Sequence, residues 1–180
     1  MPIGDLGTER SGIKGIKRTI SFGLYDDVKT WPTVKSSPTT YEDLGTLVTA
    51  VVMNTGTRMY EIQATLRKSS FGSKSGGARG SLVGITRLEI VRATMTPAVV
   101  GFIDQHKGEE MFFIVEDNED RVIFVGEEDR PCEMVEFDLP LGADLTDEVD
   151  CKIVLEQVGP TPKFYGTASA PLTIPLTNAK

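Results

Sequence analysis

Cysteine and histidine are scarce in this chain of 180 residues, which has two cysteines, Cys132 and Cys151, and a single histidine, His106. That scarcity removes whole classes of chemistry. A disulfide-framed fold needs more thiols, and each cysteine lies inside an apolar, strand-like stretch, so both read as small buried thiols. Zinc requires clustered Cys and His ligands, which one histidine and two distant cysteines do not supply. No Ser or Cys occupies a Gly-x-Ser-x-Gly elbow. His106 falls where a helix should end, a place that suits a favourable interaction with the helix dipole better than a general base. With no convergent set of titratable residues, the chain reads as a non-enzyme, with no catalytic residue, no metal site and no cofactor.

Long apolar runs are also missing. No stretch approaches bilayer length, and the first residues lack a basic flank followed by an apolar core. The expectation is synthesis in the cytoplasm with no membrane insertion. Acid is plentiful but poorly spaced for calcium. Asp117/Glu119/Asp120 and Glu127/Glu128/Asp129 both depart from the spaced Asp-x-Asp-x-Asp-Gly arrangement and read as solvated turns. The run Gly76-Gly77-Ala78-Arg79-Gly80 lacks the Gly-Lys-Ser/Thr step and the following helix of a phosphate loop. Lys74 and Arg79, without interleaved aromatics, are too few for a nucleic-acid site.

The net charge of −7 is unevenly spread. Residues 1–103 hold thirteen Lys or Arg against eight Asp or Glu, whereas residues 104–150 hold three against seventeen. An acid block of this kind argues against nucleic-acid affinity for the block itself. It suits a protein whose basic part meets another copy's acidic part, or simply a solvated acidic face that aids solubility.

Hydrophobic residues at 39% and charged residues at 25% describe a folded chain, long enough for one domain over 1–180. Alternation places strands at 20–24, 47–53, 59–67, 82–93, 111–115, 121–125, 132–139 and 151–158, with an edge strand around 165–168. Thr39 with Glu42 three residues on resembles a capping box for a short turn over 41–44. Thr96-Pro97 starts a helix that runs to 106. The stretch 111–115 is apolar on both faces, as a strand covered on both sides requires. About eight strands with one or two short helices indicate a mainly β protein, an antiparallel sandwich or partly closed barrel.

Residues 69–81 interrupt this pattern. Nine of these thirteen residues are Ser or Gly and none is acidic, so the segment cannot bury enough apolar surface to order itself. Between the strands at 59–67 and 82–93 it reads as an overlong hairpin tip, an arm that folds against a neighbouring subunit. The candidate inter-subunit residues are Ser70, Phe71, Gly72, Lys74, Gly76, Gly77, Arg79 and Gly80. The lead 1–12 and the extension 169–180 are further candidate arms.

The helix at 97–106, the hairpin from Phe112 through Asp117-Asn118-Glu119-Asp120 to Gly126, and the late Phe164-Tyr165-Gly166 together resemble structural tail proteins of tailed phages. Within that group they are similar to the tail tube proteins found in phages and prophages of Bacteroidota. The resemblance covers about 96–168 and the long loop. It departs at Gly126-Glu127-Glu128-Asp129-Arg130-Pro131, where those proteins often carry Gly-Ser/Thr-Pro. It implies a protomer that forms hexameric rings stacked into a hollow tube in the virion tail. The implied partners are identical copies, other tail and neck proteins, and double-stranded DNA in transit without specific binding. Fused sheets would close the inner wall and remove open edges, and head-to-tail contacts permit unlimited stacking. The alternatives are a tail terminator, the tube protein of a contractile injection particle, and a monomeric sandwich that binds its ligand with calcium.

Overall fold

The computed structural model describes residues 15–65, 67–140, 150–167 and 169–177. The expected lead arm at 1–12 lies outside the described residues, as does the end of the C-terminal extension. Among the described residues thirteen strands form three sheets. The largest takes the order β13(Ala170–Pro171), β12(Lys163–Thr167), β9(Val122–Val125), β8(Met111–Asp117), β1(Ile16–Leu24), β5(Tyr60–Gln63), with β3(Thr46–Leu47) pairing parallel to β12. The second is antiparallel and runs β10(Glu133–Asp138), β11(Cys151–Gly159), β7(Val83–Arg92), β6(Ser70–Gly76). A two-stranded ribbon joins β2(Val28–Thr30) to β4(Val52–Met53).

Among the described residues the mainly β, antiparallel sandwich read from the sequence is the observed fold, with two short helices and no closed barrel. Its layering explains why β8 is apolar throughout. Ile20, Phe22, Met111, Phe113 and Val115 point from the large sheet into a core shared with Leu88, Ile90, Ile153 and Leu155 of the four-stranded sheet and with Val99 and Ile103 of α2(Pro97–His106). Phe112, Ile114, Phe124 and Tyr165 point the other way, beneath Leu47, Val51 and Met53. Strand β8 therefore buries both faces, and Met111 through Val115 are at most 2% exposed.

Thr96 caps α2 by accepting a hydrogen bond from the Val99 amide, with Pro97 in the first turn, as the sequence predicts. The 112–126 hairpin also forms as expected: Asp117 accepts from the Glu119 and Arg121 amides and from Arg121 Nε, which locks the turn from within. Both cysteines are free, buried thiols, and burial pushes the Cys132 thiol up to about 12.

Five local expectations need correction. The capping box is one residue later than predicted, with Thr40 as N-cap and Asp43 completing it for α1(Tyr41–Gly45). The run at 47–53 divides into β3 and β4, because the amides of Val48 and Val51 bond to Thr33 O and to Tyr165 Oη instead of a sheet ladder. The 59–67 and 82–93 strands do not pair. Strand β5 pairs with β1 in the large sheet, and the chain then crosses to the four-stranded sheet, where Thr65 N donates to Val91 O. Strand β12 lies inside its sheet, so the edge is β13. Finally, His106 ends α2 as expected, but its surroundings disfavour the charged form that a dipole contact calls for. It is buried against Phe22 and Phe102, with Nδ1 lacking a partner among the described residues, and burial lowers its pKa.

Candidate functional site at the edges of the four-stranded sheet

Residues 69–81 are not one continuous loop. Ser70, Phe71, Gly72, Lys74 and Gly76 belong to β6, which pairs antiparallel with β7 in continuous register from Ser70 opposite Glu89 to Gly76 opposite Val83. Backbone ladder bonds order a strand without apolar side chains, and here they replace the hydrophobic burial that Ser and Gly cannot supply. Phe71 anchors the strand by packing on the core opposite Leu88. Thr86 Oγ1 donates to Ser73 Oγ at 3.1 Å, tying the middle of the pair.

Only 77–82 projects as a tip, carrying Gly77, Arg79 and Gly80. Gly77 and Gly80 have φ of +96° and +89°, a region that suits glycine, and a Cβ on Gly77 would lie 2.3 Å from the Ser81 carbonyl oxygen. Ser81 N closes the turn on Ala78 O at 2.9 Å. The tip is thus a built turn, bearing the exposed Leu82 and an Arg79 with no ion-pair partner among the described residues.

Among the described residues no strand pairs with the outer edge of β6, and none pairs with β10 beyond β11 at the other side of the sheet; just before β10, Cys132 exchanges backbone hydrogen bonds with Met111 at the start of β8. The two edges differ in chemistry. Strand β6 reads Ser-Phe-Gly-Ser-Lys-Ser-Gly with one cation and no acid, whereas β10 reads Glu-Met-Val-Glu-Phe-Asp with three acids and no cation. Val135 and Phe137 of β10 are 51% and 50% exposed, more apolar surface than an isolated edge strand ordinarily shows to water. A register shift between Met134 and Glu136 makes Val135 a bulge, which fixes the register of that edge.

The face of this sheet turned away from the core carries a charge lattice. Arg87 bonds Glu136 at 2.7 Å, and Lys152 lies 3.3 Å from Glu89 and 3.9 Å from Glu136. With Lys74, Glu133, Asp138 and Glu156 in the same alternation, five acids face three cations.

One cleft adjoins the β10 end of the sheet. It measures about 290 Å³, with Trp31, Leu47, Phe124 and Pro162 as its apolar walls and Glu127, Glu128 and Asp129 at its rim. The rim is a tight turn: Glu127 N and Arg130 N each donate to the other's carbonyl at 3.0 Å. Glu127 is engaged by Lys163 at 2.6 Å, while no cation pairs with Glu128 or Asp129 among the described residues. Burial, followed by the carboxylate of Glu128, raises the pKa of Tyr25, whose hydroxyl donates to Glu128 O. The sequence marks the rim acids Glu127, Glu128 and Asp129 only as a solvated turn and does not mark the cleft or the β10 edge. The exposed pair Val135 and Phe137 in an acidic strand was the available signal.

Comparison of the chain with protein-family models, with curated proteins and with solved structures finds no match.

Proposed function

We propose that this chain is a structural virion protein that assembles into stacked rings forming the tail tube of a tailed phage. The observation that carries the reading is the four-stranded sheet with two open edges of opposite character. Every neighbouring pair in it is antiparallel, and the number of strands is even. A pure rotation therefore sets β6 of one copy antiparallel to β10 of the next, and repetition closes the sheet on itself. Closure removes both edges, the one arrangement that abolishes the hazard they present, and it covers Val135 and Phe137.

The size of such a ring is sensible. Six copies, with strands about 4.8 Å apart and tilted about 40°, would enclose a bore roughly 48 Å across between backbones, wide enough for duplex DNA after side chains are added. The protomer core lies on the other face of the sheet, so the charge lattice would line that bore. Its acidic excess suits passage of DNA without capture, since cationic walls would bind phosphate by counterion release.

Negative-stain images of the purified protein, paired with light scattering at high concentration, test this function. Rings that stack into tubes support it. Single rings that never stack favour a terminator, and a persistent monomer removes the ring reading altogether.

A further inference from the structure

The two unpaired charge clusters lie at the same end of the four-stranded sheet but on opposite edges. Glu133, Glu156, Arg87 and Gly72 form one lateral row across the four strands. Beyond that row β6 continues through Ser73 and Lys74 to Gly76 and the tip, whereas β10 has already given way to the 127–130 turn. Gln157 Nε2 donates to Arg130 O, and Gly159, opposite Gly84, packs on the Arg130 side chain, so the turn sits at the tip's end of the sheet.

We infer that, within one ring, the hairpin tip of each copy seats on the 127–130 turn of its neighbour, with Arg79 facing Glu128 and Asp129 and Leu82 entering the cleft beside Trp31. This rests on the ring reading above and names the partner, a second copy of this chain, together with the surface that receives it. When a neighbour's β6 continues the sheet beside β10, its overhanging end runs past Cys132, whose backbone already bonds to Met111, to the segment before it in the chain. That segment is the acidic turn. The chemistry matches on both counts: Arg79 and Lys74 meet carboxylates with no cation of their own, and Leu82, 69% exposed, meets an apolar recess. Complementary charge of this kind sets orientation and register between copies. Two glycines with positive φ hold the tip in a defined shape, which lowers the entropy lost on docking.

Three variants on exposed positions test the contact without touching the core. Oxidation of an Arg79→Cys/Asp129→Cys double variant, whose native Cys132 and Cys151 are buried, should give a ladder of covalent oligomers ending at the ring number, with neither single variant doing so. Arg79→Glu should lower the assembled fraction about tenfold, and Glu128→Lys added to it should restore assembly. If the wild type forms rings while Arg79→Glu assembles equally well and the double cysteine variant gives no ladder, the contact is refuted and the ring reading survives. Cross-linking confined to single chains also refutes it. A wild type that stays monomeric under the same conditions overturns both.

Discussion

At the scale of residues, His106 shows how a lone titratable group can belong to the fold alone. Its ring lies 4.8 Å from Phe102 and 5.6 Å from Phe22 between centroids, a site that favours the neutral form. Burial depresses its pKa below the ordinary 6.5, and the nearby carboxylate of Glu109 opposes the shift without reversing it. As pH falls through 6.5 the unfolded chain takes up a proton before the folded chain does, so stability declines until the folded pKa is passed. Thermal melts should show Tm falling as the pH is lowered from about 7 through 6.5, and His106→Phe, which keeps the ring contacts, should flatten that slope. An unchanged slope in the variant would place the titration elsewhere. Tyr165 is the other residue on which much depends: its hydroxyl accepts from Val51 N at 2.8 Å and donates to Thr173 O at 3.1 Å, holding the 46–53 segment on the second core.

At the scale of elements, the Ser/Gly segment divides into two parts with separate duties. Residues 70–76 are a sheet edge, and only 77–82 stand clear. Replacing 77–82 by Asn-Gly, a turn suited to joining directly paired residues such as Gly76 and Val83, should leave the protomer folded. Its Tm should stay within about 3 °C of the wild type, while light scattering should show assembly lost. Normal tubes from this variant would mean that the tip takes no part. This element also marks the limit of what was legible from the chain. Strands with strong apolar patterning, such as β8, β9, β11 and the helix α2, could be read directly because burial and sequence period agree. Strand β6 could not, because Ser and Gly carry little strand propensity and its order comes from the partner's backbone. Strand β5 was seen but mispaired, since the crossing at Ala64–Thr65 between sheets leaves no mark in alternation. For the candidate arm the sequence reads a loop where β6 and a short tip form, and the cleft assembled from Trp31, the 127–130 turn and Pro162 depends on contacts between distant segments.

At the scale of the whole molecule, the charge asymmetry becomes spatial. The acid block of the sequence supplies β10 and the 127–130 turn at one edge of the four-stranded sheet, and the Ser/Gly stretch with Lys74 and Arg79 supplies the other. On the proposed reading, a sheet that ends in two unlike edges is completed by identical copies through rotation. Electron cryo-microscopy of the assembled protein, at a resolution that separates strands about 4.8 Å apart, tests this claim most directly. The account predicts β6 of each copy antiparallel to β10 of the next, with the charge lattice of Arg87, Lys152 and Glu136 facing the bore. Particles whose copies meet through other surfaces, leaving both edges in solvent, would contradict it.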